Sequence, residues 1–158
     1  MKDIVLFQLQ FKNKGKYLGI DYGKKRIGIA ISDENKIISF PRDYILNEKR
    51  TLDIIYNIVC IENVERIIIG YPLTLQSEKT DVTEEVEKFR DKIDLLLKNR
   101  GLNIKIDYYD ERLTSSIAQH NLFETGKKKE KRKEKGLIDS LAAQIILQDY
   151  LDSRKGNN

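Results

Sequence analysis

The order of periodicities along the chain predicts an α/β fold: a mixed five-stranded sheet, three antiparallel strands followed by parallel crossovers, flanked by helices. Three observations predict it. Apolar residues first alternate, Leu18 and Ile20, then Ile27, Ile29 and Ile31, with only short polar turns between them. Later they recur at helical spacing, as in Val82, Val86, Phe89, Ile93, Leu96 and Leu97. Between the helical stretches stands the unbroken run Ile67-Ile68-Ile69, which suits a strand covered on both faces.

Taken in order, residues 17–21, 26–32 and 37–44 read as strands. The turns Tyr22-Gly23-Lys24-Lys25 and Asp33-Glu34-Asn35-Lys36 are short enough to make them antiparallel neighbours. Residues 51–62, with Leu52, Ile55, Ile58 and Val59 on one face, read as a helix and 66–70 as the fourth strand. Residues 82–100 form the strongest helical pattern, closed by Gly101 as a C-terminal cap. A fifth strand is expected over 103–109, and helices over 114–123 and 137–151. Strand-helix-strand crossovers of this kind are right-handed.

The chain has 158 residues, 40% of them hydrophobic, the size of one globular domain. The expected division is an N-terminal extension, 1–16, a single domain, 17–152, and a C-terminal tail, 153–158. In the extension Phe7, Leu9 and Phe11 alternate with Gln8 and Gln10, as in an added edge strand. The single cysteine, Cys60, lies among Ile58, Val59 and Ile61 and reads as a small buried hydrophobe. With no signal-like or membrane-length apolar run, the expectation is a soluble, cytoplasmic protein that does not engage membranes.

Net charge is +4, and its distribution is uneven. Lys127, Lys128, Lys129, Lys131, Arg132, Lys133 and Lys135 are interrupted only by Glu130 and Glu134. Such a run is commonly a solvated loop or helix face. Here it lies between Gly126 and Gly136 and leads into the segment carrying Asp139, so it also reads as a cationic flap beside a carboxylate, suited to a polyanionic partner.

Asp21, Glu111 and Asp139 each sit where an expected element meets a loop: Asp21 ends the first strand, Glu111 follows the fifth, and Asp139 falls in the first turn of the last helix. Each has a structural alternative: a turn former at Asp21, an exposed ion pair of Glu111 with Arg112, a helix cap at Asp139. Together they look like one metal site. Two carboxylates about 4 Å apart repel by roughly 4 kcal/mol at an effective dielectric near 20, so three that converge require protonation or a divalent cation. Oxygen ligands suit Mg2+ or Mn2+, one ion or two, and such ions promote in-line hydrolysis of phosphodiesters. Lys24, Lys25 and Arg26 in the first turn are placed to meet phosphates, as are Thr114 at a helix start and Arg112. Tyr71 and Gln76 mark a loop that could touch a nucleotide. His120, the only histidine, reads as structural.

The segments Asp21-Tyr22-Gly23-Lys24-Lys25-Arg26-Ile27-Gly28, Gly70-Tyr71-Pro72-Leu73, Asp110-Glu111-Arg112-Leu113-Thr114 and Ile138-Asp139-Ser140-Leu141-Ala142-Ala143 resemble, in order, the motifs of the YqgF family. The resemblance runs over residues 17–152. It implies an RNase H-like nuclease domain with Asp21, Glu111 and Asp139 as catalytic and metal-binding residues. It further implies a metal-dependent nuclease acting on structured nucleic acid, by preference in 5′-end processing of pre-16S rRNA within ribosome assembly intermediates. Cleavage of Holliday junctions in DNA is the alternative, and a non-catalytic ribosome-assembly or transcription factor a third reading. Resolvases of the wider superfamily carry an acid at the end of strand four, where this chain has Gly70-Tyr71-Pro72; Glu111 would have to reach the site from strand five, with Asp110 ranked below it. Junction cleavage calls for a two-fold dimer. The sequence shows no apolar stripe set aside for one, so a monomer or weak dimer is expected.

Overall fold

The computed structural model describes residues 15–111 and 131–155, with side chains in the last segment from Ile138 onward. Strands β1 (Lys16–Asp21), β2 (Arg26–Ser32) and β3 (Ser39–Leu46) form an antiparallel meander. Helix α1 (Thr51–Ile61) leads to β4 (Val64–Tyr71), and α2 (Asp81–Asn99) leads to β5 (Lys105–Asp110). Helix α3 (Lys131–Lys155) closes the described chain. The sheet order is β3-β2-β1-β4-β5, with β4 parallel to both β1 and β5. This is the mixed five-stranded sheet that the sequence predicts.

Period-two alternation sorts the strand residues between two layers. Leu18, Ile20, Ile27, Ile29, Ile67 and Ile69 face α1 and α2, which contribute Ile55, Val59, Val86, Phe89, Ile93 and Leu97. Tyr17, Ala30 and Ile68 face α3, which contributes Ala143, Ile146, Leu147, Tyr150 and Leu151. Ile67, Ile68 and Ile69 are all fully buried because both sides are covered, each such side chain contributing roughly 1.5–3 kcal/mol.

Local chemistry fixes the ends of the elements. Thr80 and Thr83 exchange side chain-to-backbone hydrogen bonds at the start of α2, a capping box built from two threonines. Gly101 follows that helix at φ +79°, the left-handed cap expected from the sequence.

Several expectations need correction. β3 begins at Ser39 rather than residue 37 because the Asp33 carboxylate accepts the backbone amides of Asn35, Ile37 and Ile38 and holds them in the turn. Helix α3 already includes Lys131, ahead of the expected start at residue 137. Lysine, arginine and glutamate are strong helix formers, and one interior glycine, Gly136, costs only about 1 kcal/mol, so the described part of the basic run, 131–135, belongs to the helix. Asp139 therefore lies in the third turn, where the preceding carbonyls already take its local amides. The helix-cap reading of Asp139 falls. Cys60 is half-buried rather than enclosed. Val82 is exposed, since α2 turns its buried stripe through Val86, Phe89, Ile93 and Leu97. An apolar strip does exist, against expectation: Ile38, Phe40, Tyr44 and Leu46 are all exposed along the edge strand β3 or beside it. The extension's expected strand and the expected helix over 114–123, with His120, lie outside the described residues. Among those described, no helix is long and apolar enough to cross a membrane.

Candidate active site

Two glycines set the geometry. Asp21, the last residue of β1, pairs with Gly28 of β2. On its other side, β1 runs beside β4, where Ile20 pairs with Ile69, so Gly70 stands one residue further on. A Cβ at Gly28 would overlap the backbone carbonyl of Asp139, and one at Gly19 would lie 2.8 Å from Cβ of Leu147 and 3.1 Å from the carbonyl oxygen of Ala143. The absent side chains let α3 lie directly on the sheet. Its small residues Ala142 and Ala143, both buried, keep the approach close. That contact anchors the Asp139 backbone over the strand next to Asp21.

Gly70 performs the same service for the third acid. A Cβ there would overlap Oε1 of Glu111 and lie 2.8 Å from Cδ1 of Ile146. Glu111, the residue after β5, thus folds its carboxyl over the end of β4. This reach brings the carboxyl of Glu111 to the end of β4, where the chain itself has Gly70-Tyr71-Pro72 and no acid.

Asp21 and Glu111 are hydrogen-bonded to each other. Burial pushes the Asp21 carboxyl well above the ordinary aspartate range, and the charges of Glu111 and Asp139 and the bond to Glu111 push it further. Burial also raises Glu111; the Asp21 bond opposes that shift and the charge of Asp110 adds to it. Ionisation of one of these acids therefore disfavours ionisation of the other, and the two titrate as a pair. Asp139 is neutralised differently: Nε of Arg26 donates to its Oδ2 at 3.0 Å, with both side chains about a quarter exposed.

The structure thus brings together Asp21, Glu111, Asp139 and Arg26. Lys24 does not join them: its Nζ lies 3.5 Å from Oε1 of Glu85 on α2. Lys25 is exposed in the turn, where its carbonyl accepts the amide of Asn47 at 3.0 Å. Lys131, Arg132, Lys133 and Lys135 lie on the first turns of α3 ahead of Asp139, while Arg112, Thr114, Lys127, Lys128 and Lys129 lie outside the described residues. Asp110 ends β5 in register with Tyr71. Tyr71 turns toward α2 and donates to Glu87 at 2.5 Å, which also receives Lys79 at 2.7 Å. The Tyr71 ring lies 4.6 Å from that of Tyr108. Gln76 is exposed in the loop.

Sequence reasoning missed two features of this corner. The Arg26–Asp139 pair joins residues 113 positions apart, and nothing in local spacing announces it. The receiving role of Gly70 left a faint signal, a glycine closing a run of isoleucines, where close approach is the usual reason.

Among the described residues, no three His, Cys, Asp or Glu side chains are gathered closely enough to hold one ion as they stand. The charges of Glu111 and Asp139 both act on Asp21, and Arg26 holds the Asp139 carboxylate. The donor set itself is all oxygen and suits a hard divalent cation.

The profile of the RuvX family, described as Holliday junction resolvase, matches residues 15–153. A Bacteroides fragilis protein named "Putative pre-16S rRNA nuclease" is 39% identical over 140 residues, covering 89% of this chain and 98% of its own length. A Sulfurihydrogenibium protein of the same name is 37% identical over 143 residues, with coverage of 90% and 94%. Among solved structures, Thermus thermophilus RuvC in complex with a Holliday junction substrate superposes with a TM-score of 0.55 at 13% identity, covering 90% of this chain and 96% of RuvC. That likeness shows a shared fold, the RNase H-like architecture expected above. From the profile match over nearly the whole described chain, and from relatives that align almost end to end, this chain belongs to the RuvX family.

Proposed function

We propose that the protein is a metal-dependent nuclease that hydrolyses phosphodiester bonds in structured RNA, its physiological task being 5′-end maturation of the small-subunit ribosomal RNA precursor on assembly intermediates. The observation that carries the proposal is the gathering of Asp21, Glu111 and Asp139 at one corner of the sheet, from three elements far apart in sequence. The names carried by the relatives support the RNA substrate.

Asp21, Glu111 and Asp139 would hold Mg2+ or Mn2+, one ion or two. Such an ion, when bound, supplies positive charge to the attacking and leaving oxygens of an in-line displacement by water. The protein's own groups prepare for that charge. Asp21 and Glu111, half-buried and both raised in pKa, must be ionised to serve as ligands, which couples occupancy to pH. Gly28 holds the Asp139 backbone, and Gly70 the Glu111 carboxyl, next to the end of β1, so only side-chain rotation is left to bring the ligands together. The basic residues opening α3, with Lys127, Lys128, Lys129, Arg112, Thr114 and the turn residues Lys24 and Lys25, provide phosphate contacts along the strand.

Precursor ribosomal RNA and a four-way DNA junction, incubated in parallel with Mn2+ or with chelator, test the proposal. The expected result is Mn2+-dependent cleavage of the RNA by the native protein and none by Asp21→Asn. Cleavage of the junction alone would favour the second reading, a DNA resolvase. The exposed Ile38, Phe40, Tyr44 and Leu46 at β3 are the specific observation on its side, since paired incisions call for a dimer and this strip is a surface on which one could form. A cellular role intact in Asp21→Asn would instead point to a binding factor that needs no metal.

A further inference from the structure

We infer that Arg26 is a positioning residue that competes with the metal for Asp139: it holds that carboxylate while no ion is present, yields it on binding, and then turns its guanidinium to a substrate phosphate. The inference rests on the metal-dependent reading above and adds a role beyond the phosphate contact expected of Arg26 from its place at the first turn.

Three observations carry it. First, Arg26 does not reach outward from the turn; its Nε is committed to Oδ2 of Asp139 at 3.0 Å, whereas Lys24 is drawn away to Glu85. Second, the backbone at each end of the pair is held. Arg26 opens β2 in register with Leu46, and the Asp139 carbonyl rests on Gly28, two residues along the same strand. Only rotation of the two side chains can break the pair, and the same rotation changes where the Asp139 carboxylate points. Third, the pair is weak enough to yield. Both partners are about a quarter exposed, and ion pairs near the surface shift an equilibrium by no more than about fivefold.

The charges at this corner fit an exchange. Where no ion is present, Arg26 supplies the positive charge beside Asp139, and a divalent cation would supply it instead. When the ion takes over, the arginine is released in the immediate neighbourhood of the acids, where a phosphodiester carrying the same negative charge must approach. A guanidinium matches phosphate with paired donors better than an ammonium does.

Mn2+ binding by isothermal titration calorimetry, with no nucleic acid present, tests this on the full chain. Arg26→Gln should bind Mn2+ about three- to fivefold more tightly than the native protein, because the competitor is gone. Arg26→Lys, which keeps the charge but loses the fixed Nε geometry, should fall between them, and Asp139→Asn should bind at least tenfold more weakly. In cleavage of an RNA substrate at saturating Mn2+, Arg26→Gln should raise KM by a larger factor than it lowers kcat. Equal or weaker Mn2+ binding by Arg26→Gln, alongside weakened binding by Asp139→Asn, would overturn the inference and leave Arg26 as an aid to Asp139 rather than its competitor. The metal reading would survive that result. If the native protein and Arg26→Gln both failed to bind Mn2+, the metal reading would fall and this inference with it.

Discussion

Glu111 lays its carboxyl over Gly70, in the space that any side chain at position 70 would need. Gly70→Ala should therefore act on the site through a residue that is not an acid. The added methyl must displace Glu111, or Ile146 at 2.8 Å, an overpacking cost of roughly 1–3 kcal/mol. Chemical denaturation should show a loss in that range, while Mn2+-dependent cleavage falls by more than tenfold, a larger effect than so modest a destabilisation explains. Unchanged activity would mean that Glu111 does not work from this position.

Gly28→Ala should be more damaging to the fold. The atom it would meet is the backbone carbonyl of Asp139, which cannot rotate aside, so α3 must lift from the sheet. A stability loss of about 2–4 kcal/mol is expected, measurable as a lowered Tm. Ser in place of Gly28 should be no better than Ala, because the clash is at Cβ.

The raised carboxyls of Asp21 and Glu111 give a signed pH dependence. Both carboxyls are raised in the folded protein above their ordinary values of 3.8 and 4.5. The folded state then binds more protons than the unfolded state over the interval above those values, and stability falls as pH rises through it. The stabilising contribution is complete below the ordinary values and is lost as pH climbs through the raised ones. Asp21→Asn removes the principal group, so the metal-free variant should gain stability over the native protein as pH rises from 4 toward 8. Urea unfolding across that range checks the sign; added Mn2+ should reverse the native protein's trend, because ligand binding to the folded state adds to its stability.

Away from this corner, Asp107 gives a contrasting case. Its Oδ2 accepts the Tyr150 hydroxyl at 2.5 Å and the Arg66 guanidinium, and Arg154 donates to the same hydroxyl at 2.7 Å, tying β4, β5 and α3 together. Although burial works in the other direction, those hydrogen bonds hold the Asp107 carboxyl below its ordinary range. Its contribution is thus present above the ordinary value and lost as pH falls through the lowered one. Asp107→Ala should cost about 1–3 kcal/mol by leaving its donors unmatched, with Mn2+ affinity unchanged. Weakened Mn2+ binding would show that this network reaches the acids.

Much of this molecule was legible in its sequence, and the parts that were not have a common cause. Alternation located β1, β2 and β4 to within a residue or two because each strand presents opposite faces to two buried layers, and the 3.6-residue stripe located α2 because only one side of it is covered. β3 was misplaced by two residues because the Asp33 carboxylate, not hydrophobicity, decides where the turn ends. The start of α3 was misplaced because a polar, high-propensity stretch carries no amphipathic signal. Within the candidate site, Asp21 and Glu111 were legible as acids at strand ends, and Asp139 as an acid before an apolar helical stretch, though it lies inside the helix and not at its start. Their supports were not: the Arg26–Asp139 pair and the reach of Glu111 over Gly70 both depend on which strands become neighbours, information that belongs to topology rather than to spacing along the chain.

The most direct measurement is an anomalous difference map from a crystal of the native protein soaked in Mn2+. A peak bounded by carboxylate oxygens of Asp21, Glu111 and Asp139 is expected, with Asp139 rotated away from Arg26. A map with no peak there, and with Asp139 still paired to Arg26 at saturating Mn2+, would contradict it.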